Sequence, residues 1–170
     1  MERNHDYLFM ADAMLGKIAR KLRMFGFDTI YDPNIDDIDI LATAKCKGRI
    51  VLTSDRLLFN RCKKNGVDTI LIAKETEIEN LVTIFSSLNI KSVNSQNVPY
   101  LCTCCNGLLD TINDKNSIKD HIPTRLLQSE KIFYMCTNCK KIYWRGTHME
   151  NISCLINEIN TKLKSLNWFA

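Results

Sequence analysis

The N-terminal half of the chain alternates short apolar runs with longer segments in which apolar residues recur at helical spacing. Four short runs predict buried strands, at positions 7–11, 29–31, 49–53 and 69–72. After the first run, Leu15, Ile18 and Leu22 recur at the spacing of one helix face. Similar segments follow the other three runs, and Asp36 or Asp37 is expected to cap the second helix. The pattern therefore predicts four strands, each followed by a helix.

Helical segments between the strands constrain the topology. Consecutive strands that are joined through a helix need crossover connections, and crossovers join parallel strands. A parallel sheet is buried on both faces, so its helices must cover both sides. We therefore predict an α/β fold with a parallel sheet of about four strands and flanking helices.

The pattern changes after Lys91. Residues 92–99 form a polar stretch that is typical of a linker. The next fifty residues or so have short, turn-rich segments that contain paired cysteines. Apolar residues from Ile152 to Leu166 then recur at helical spacing and predict an amphipathic C-terminal helix. We therefore divide the chain into three units, 1–98, 99–150 and 151–170.

The composition is that of a globular protein. Of 170 residues, 45% are apolar and 25% charged, and the net charge of +4 excludes an intrinsically disordered chain. No apolar run approaches the roughly 20 residues of a membrane helix, so we expect no membrane partner. The pI of 8.6 lies below that of most basic nucleic-acid-binding domains, so any such surface must be local. The N-terminal residues lack a secretory signal, and we expect a cytoplasmic protein.

The cysteines are clustered. Five of the eight lie between positions 102 and 139. In a reducing compartment, closely spaced pairs are more often metal ligands than disulfides. Two C-x-x-C pairs, Cys102 with Cys105 and Cys136 with Cys139, predict a structural zinc ion with four thiolate ligands and no open position. Cys104 is an alternative to either neighbour, and free buried thiols are the alternative to zinc.

Three aspartates lie at the ends of predicted elements. Asp12 ends the first strand, Asp37 begins the second helix, and Asp55 follows the third strand. Because ligands bind beyond the carboxyl ends of parallel strands, Asp12 and Asp55 should lie close together. Carboxylate oxygens suit Mg²⁺ or Mn²⁺, which can activate water for attack on a phosphodiester. For any single aspartate, a helix cap or turn is the alternative role.

The first predicted helix has a basic face. Lys17, Arg20 and Lys21 lie opposite its apolar stripe, and Arg23 lies at the margin of that stripe. A basic helix beside carboxylates can hold a phosphate backbone, so Lys17, Arg20 and Arg23 are candidate substrate-binding residues. The alternative is the solvated outer face of an ordinary surface helix.

Two motifs are individually distinctive. One is D-x-M-L-G-x-x-A-x-x-L-R, from Asp12 to Arg23, and the other is Y-W-x-G-[ST]-H, from Tyr143 to His148. With the segments Gly26-Phe-Asp-Thr and Arg49-Ile-Val-Leu-Thr-Ser-Asp and the two cysteine pairs, they resemble the Mut-seven C-terminal ribonuclease domain family. The resemblance extends over about residues 7–149 and leaves out the last helix.

The resemblance implies a PIN-like nuclease domain joined to a zinc ribbon, and metal-dependent cleavage of RNA, which we expect to be single-stranded. Asp12, Asp37 and Asp55 match acidic positions of the family. This sequence departs from the family pattern at Ser54, which is often arginine, and at Leu57, which is sometimes acidic. The departures leave a second hypothesis open, a non-catalytic RNA-binding zinc-ribbon protein with a degenerate PIN-like domain.

The second motif carries aromatic residues and a histidine. Tyr143 and Trp144 can stack on bases, but we expect a hydrophobic contact between the ribbon and the nuclease domain. His148 is expected to pack beside Trp144 and brace the ribbon. A role in binding substrate or in replacing a zinc-bound cysteine is the alternative for His148.

Overall fold

The computed structural model describes residues 7–73, 76–93, 101–144 and 148–167. In its first part, strands and helices alternate as the hydrophobic pattern predicts. The strands are β1 (Phe9–Ala11), β2 (Thr29–Tyr31), β3 (Ile50–Thr53) and β4 (Thr69–Leu71). The helices are α1 (Gly16–Met24), α2 (Asp37–Lys47), α3 (Arg56–Lys64) and α4 (Glu77–Ser87). A short 3₁₀ helix (Ala13–Leu15) precedes α1.

The four strands form one parallel sheet in the order β2-β1-β3-β4. Met10 on β1 aligns with Ile30 on β2 and with Val51 on β3, and Leu52 on β3 aligns with Ile70 on β4. β1 and β3 are therefore the central strands, and β2 and β4 are the two edges. The predicted α/β fold and parallel sheet are confirmed.

Each face of the sheet packs against its own set of helices. On one face, Phe27 lies between Phe9 and Phe85, with ring centroids 5.7 and 5.4 Å away. This larger core includes apolar residues of α1 and α4. On the other face, Ile40 of α2 and Leu58 of α3 pack in a smaller core. Coverage of both faces explains why the strands are continuously apolar.

Local capping places the helix boundaries. Asp36 accepts a hydrogen bond from the backbone N–H of Asp39 at 2.8 Å and so caps α2, as predicted for Asp36 or Asp37. Thr76 caps α4 in the same way through Glu79. Helix α2 ends at Gly48, whose φ of 59° lies in the left-handed region that glycine adopts without strain.

The second part of the chain forms an antiparallel sheet of β5 (Leu109–Ile112), β6 (Phe133–Cys136) and β7 (Ile142–Trp144), with β6 in the centre. A 3₁₀ helix (Lys115–Ile118) and α5 (Thr124–Ser129) lie between β5 and β6. Phe133 is fully buried in a small core of its own. The predicted linker falls largely on residues 94–100, outside the described residues.

The last helix, α6 (His148–Asn167), packs on the first sheet domain. Its Ile156, Ile159 and Leu163 are buried in the core that contains α4. The side chain of Asn160 bonds both the backbone N–H and the carbonyl of Val93, at 2.8 and 2.9 Å. The predicted amphipathic helix therefore covers a face of the first domain.

Among the described residues, no helix combines the length and the apolar character needed to cross a membrane.

Candidate functional site

The sheet order creates a crevice above its two central strands. From β1 the chain crosses to β2 on one side, and from β3 it crosses to β4 on the other. The connections therefore diverge between β1 and β3, which is the topological switch point where open parallel sheets bind ligands. Asp12 follows β1 directly, and Asp55 follows β3 after one residue. Both aspartates lie at this switch point.

Thr53 links the two aspartates. Its hydroxyl donates to Asp12 Oδ2 at 2.6 Å and accepts a hydrogen bond from the backbone N–H of Asp55 at 2.9 Å. Thr53 is fully buried and Asp12 is only 8% exposed, so neither can swing freely. The Asp12 backbone N–H also bonds the Leu52 carbonyl at 3.0 Å. These bonds fix the position of Asp12 relative to the chain at Asp55.

Gly16 allows a tight turn after Asp12. The Tyr31 hydroxyl, at the end of β2, donates to the Ala13 carbonyl at 3.1 Å. A Cβ atom on Gly16 would lie 2.6 Å from that hydroxyl oxygen and 2.8 Å from the ring carbon that bears it. Only glycine fits here without displacing the Tyr31 ring. This steric limit explains why the first motif has a glycine at this position.

Asp55 caps α3. Its Oδ1 accepts a hydrogen bond from the Leu57 backbone N–H at 2.6 Å. This bond is the alternative role considered for a single aspartate, but it uses one carboxylate oxygen. Asp12 Oδ1 and Asp55 Oδ2 form no hydrogen bond with the described residues. The two carboxylates therefore keep one oxygen each for another ligand, and this donor set fits Mg²⁺ or Mn²⁺.

Asp37 forms its side-chain contact with another residue and not with Asp12 or Asp55. It is the first residue of α2, and its Oδ2 lies 3.4 Å from Arg61 Nη1 on α3. Both side chains are partly exposed, so the ion pair is weak and Asp37 can exchange this partner. Across the described residues, no three carboxylates converge as closely as the four cysteines described below.

Two lysines on the basic face of α1 form ion pairs with an acidic residue of α4. Lys17 Nζ and Lys21 Nζ lie 3.7 and 3.1 Å from the carboxylate oxygens of Glu77. Lys17 is largely exposed, and such a surface pair contributes little free energy. Arg20 is exposed as well. Lys17 and Arg20 are therefore accessible to an anion in solvent.

Arg23 does not belong to this face, and its burial argues against the predicted contact with substrate. It is 2% exposed, and its Nε donates to the Thr29 carbonyl at 2.8 Å. Its Nη1 donates to the carbonyls of Thr103 and Cys104 at 3.1 and 2.9 Å. Burial lowers the pKa of the guanidinium, and nearby thiols oppose this effect. Arg23 holds the first cysteine knuckle against the first sheet domain.

The four predicted zinc ligands converge. The Sγ atoms of Cys102, Cys105, Cys136 and Cys139 all lie within 4.8 Å of one another. Cys102 and Cys139 are 3.5 Å apart, and Cys105 and Cys136 are 3.4 Å apart. A tetrahedral zinc ion with Zn–S bonds of about 2.3 Å would hold its sulfurs about 3.8 Å apart. The cluster fits structural zinc, and Cys104 is excluded from it.

Tyr143 supports one of these ligands. Its hydroxyl lies 3.0 Å from Cys102 Sγ and 3.2 Å from Thr103 Oγ1. Burial alone would raise the pKa of Cys102, but hydrogen bonds from Tyr143 and from the backbone of Cys105 lower it to about 6. The thiolate form, which binds metal, is thereby favoured. Tyr143 thus makes a polar contact within the ribbon, and its expected hydrophobic contact with the first domain stays a prediction.

Asn106 completes the junction between the two sheets. Its Oδ1 accepts a hydrogen bond from the Thr29 backbone N–H at 3.1 Å, and its Nδ2 donates to Asp28 Oδ1 at 2.8 Å. Asp28 also pairs with Arg49 at 2.8 Å. Because β2 is an edge strand, Asn106 and Arg23 satisfy backbone groups that another strand would otherwise pair. The cysteine knuckle thus closes one edge of the parallel sheet.

Two further predictions for the second motif, the hydrophobic contact of Trp144 and the packing of His148, stay predictions. Trp144 lies on β7 opposite Phe133 and is 37% exposed. His148 begins α6, but its side chain lies outside the described residues, so its expected packing stays a prediction.

A cavity of about 560 Å³ lies elsewhere on the first domain, beside the edge strand β4. Phe59 and Lys63 of α3 and Thr83 of α4 line it. None of the three aspartates lines it. The cavity is therefore separate from the switch-point crevice.

Three contributors to the site and its junction were not predicted from the sequence. Thr53 was read only as the last residue of a strand, although its position two residues before Asp55 is a signal of an ST turn. Arg61 lies 24 positions after Asp37, and no sequence pattern indicates their contact. Asn106 directly follows the first cysteine knuckle, and its φ of 66° marks the left-handed turn that directs its side chain.

A search of curated proteins found no match. A scan of protein-family models matched the Mut7-C RNAse domain over residues 7–156. The match contains both sheets, the three aspartates and the four clustered cysteines, and it ends within α6. The chain therefore belongs to the Mut7-C RNAse domain family.

Proposed function

We propose that this protein is a metal-dependent ribonuclease whose active site is the switch-point crevice. The observation that carries the proposal is the link from Asp12 through Thr53 to Asp55 at the carboxyl ends of the two central strands. Membership of an RNase domain family supports RNA as the substrate. Carboxylates that hydrogen bonds hold in place at a switch point, as with the buried Asp12 and the half-buried Asp55, are the kind of preorganised group that catalysis needs.

Asp12, Asp37 and Asp55 would hold Mg²⁺ or Mn²⁺, which supplies Lewis-acid activation of water and neutralises charge at the phosphodiester. Thr53 keeps Asp12 in place, so this carboxylate does not have to be ordered when substrate binds. Asp37 is at present paired with the cation of Arg61. To bind a metal ion, its carboxylate must break this ion pair or contact both cations.

The substrate we propose is single-stranded RNA. Lys17 is the second residue of α1, five positions after Asp12, and Arg20 follows it on the same helix; both side chains are exposed. Both can bind phosphates that flank the scissile bond. Arg23 is not included in this proposal, because it is buried in the junction.

One specific observation favours the second hypothesis, a non-catalytic RNA-binding protein. Asp37 pairs with Arg61 and shares no hydrogen bond with Asp12 or Asp55. In that case, the role of Asp37 is only to link α2 to α3 through its ion pair with Arg61. The site then lacks a third carboxylate. Binding of RNA would then rest on the basic residues alone.

The test is cleavage of a labelled single-stranded RNA by the full chain with Mn²⁺. We expect Asp55→Asn to abolish cleavage with little change in stability, because asparagine still caps a helix. Asp36→Asn is the matched control, since Asp36 caps α2 in the same way and is not one of the three proposed metal ligands. RNA binding without cleavage at millimolar Mn²⁺ by the wild-type protein would favour the second hypothesis.

A further inference from the structure

Three large apolar side chains that lie next to the aspartates in sequence are exposed to solvent. Met14 is 79%, Leu57 is 74% and Ile38 is 70% exposed. They are the three most exposed large hydrophobic residues of the described chain. Isolated exposed hydrophobics are ordinary, but a group at one functional edge is not.

Each of these residues follows one of the three aspartates. Met14 lies two positions after Asp12, Ile38 one position after Asp37, and Leu57 two positions after Asp55. All three therefore lie where the chain leaves the carboxyl edge of the sheet and enters a helix. We call Met14, Ile38 and Leu57 the apolar rim.

Contacts between the elements bring the rim together. Thr53 joins the chain at Asp12 to the chain at Asp55, which ties the loop of Met14 to that of Leu57. Arg61 lies one helical turn after Leu57 on α3 and contacts Asp37, the neighbour of Ile38. The rim therefore spans neighbouring loops.

Positively charged side chains lie close in sequence to the residues of the apolar rim. Lys17 and Arg20 follow Met14 on α1, and Arg56 adjoins Leu57; all three are exposed. Arg61 is half-exposed. Apolar side chains interleaved with accessible cations match a strand that offers both bases and phosphates. A purely apolar partner would leave these cations without anions to bind.

We infer that the apolar rim binds the unpaired bases of single-stranded RNA and so selects single strands at the active site. This inference rests on the proposed function, and it names how the substrate is recognised. In a duplex the bases are stacked and paired, so their faces cannot reach the rim. In a single strand, bases can turn towards Met14, Ile38 and Leu57 while phosphates contact Lys17 and Arg20. Contacts of this kind tolerate any base sequence.

The experiment measures binding without added Mg²⁺ or Mn²⁺, so cleavage does not interfere. Fluorescence anisotropy compares a labelled RNA strand with a strand of equal length whose central nucleotides are abasic. The proteins are the wild-type full chain, the triple variant Met14→Ser/Ile38→Ser/Leu57→Ser, and the control Ile132→Ser/Leu166→Ser. The control removes exposed apolar side chains far from the aspartates in sequence.

We expect the triple variant to bind the normal strand about tenfold more weakly and the abasic strand as the wild type does. The control should match the wild type on both strands. Equal losses on both strands, or no loss, would overturn the inference. So would a wild-type dimer that the triple variant cannot form, if RNA affinity is unchanged, because the rim would then bind a second copy. Thermal unfolding of each variant shows whether the fold is intact.

The outcome is separable from that of the proposed function. If the wild type fails to cleave RNA but the base-dependent loss is observed, the rim stands as an RNA-binding surface and the nuclease proposal fails. If the wild type cleaves RNA and the rim variant binds both strands normally, only the inference about the rim fails.

Discussion

Asn106 of the ribbon donates its side-chain amide to Asp28 of the first domain at 2.8 Å, while its carbonyl oxygen accepts from the Thr29 backbone N–H at 3.1 Å. One side chain thus pairs with both a carboxylate and the edge of a sheet. With Arg23, which bonds the carbonyls of Thr103 and Cys104, it makes the cysteine knuckle part of the first domain's boundary. Zinc binding and the stability of the parallel sheet should therefore be coupled.

Arg23→Lys should lower the free energy of unfolding by about 3 kcal/mol, because lysine cannot bond three carbonyls on two elements at once. It should also weaken zinc binding, since coupling between two sites is reciprocal. Urea unfolding and zinc competition with a chelator measure the two effects. Arg20→Lys, an exposed change on the same helix, is the control. An Arg23→Lys protein with wild-type stability and zinc affinity would show that the junction does not couple the two domains.

Tyr143→Phe should weaken zinc binding by about tenfold, because it removes the hydrogen bond to Cys102 Sγ. The same bond favours the thiolate of Cys102, so the loss should grow as the pH falls towards 6. Competition with a chromogenic chelator at several pH values measures it. Tyr134→Phe, at the position of β6 that pairs with Tyr143, removes the same functional group from a tyrosine that bonds no cysteine among the described residues. Equal zinc affinity in both variants would contradict a supporting role for Tyr143.

Cys136→Ser should lose the zinc ion, whereas Cys104→Ser should keep about one zinc per chain. The reason is geometric, since Cys136 belongs to the converging set and Cys104 is outside it. Elemental analysis of both proteins after dialysis is the measurement. A Cys136→Ser protein with full zinc content would refute the ligand set.

Thr53→Val should reduce cleavage by about tenfold or more, because the buried Asp12 loses the donor that positions it. The variant should also lose about 1–3 kcal/mol of stability, since a buried polar group is left unpaired. Thr53→Ser keeps the hydroxyl and should restore most of the activity. If Thr53→Val and Thr53→Ser cleave equally well, the hydroxyl does not position Asp12 for catalysis.

Gly16→Ala should destabilise the protein by about 1–3 kcal/mol, although alanine is the better helix former. The added Cβ would meet the Tyr31 hydroxyl and its ring. Thermal unfolding shows whether the steric contact with Tyr31 outweighs the higher helix propensity of alanine. A rise in the melting temperature would show that Tyr31 moves aside at no cost.

The first domain was predictable because its pattern is periodic. Buried parallel strands are continuously apolar, and helices covering them repeat their apolar residues, so both appear in the sequence. The proximity of Asp12 and Asp55 follows from the same reasoning, because both end central strands. Their catalytic role stays a proposal.

Contacts between distant segments were not predictable. Arg23 lies at the edge of a helix face that is basic along its length, so its sequence position gives no sign that it points into a junction. Its partners are backbone carbonyls, which any residue type provides, and two of the three lie about eighty residues away. Asn106 and Thr53 act in the same way, through geometry that depends on the folded backbone.

The most direct test of the nuclease account is cleavage of single-stranded RNA by the wild type, Asp12→Asn and Asp55→Asn with and without Mn²⁺. We expect Mn²⁺-dependent cleavage by the wild type and its loss in both variants, with zinc content and unfolding transition unchanged. Cleavage at the wild-type rate by Asp55→Asn, or by the wild type without a divalent ion, would contradict an active site built on Asp12 and Asp55.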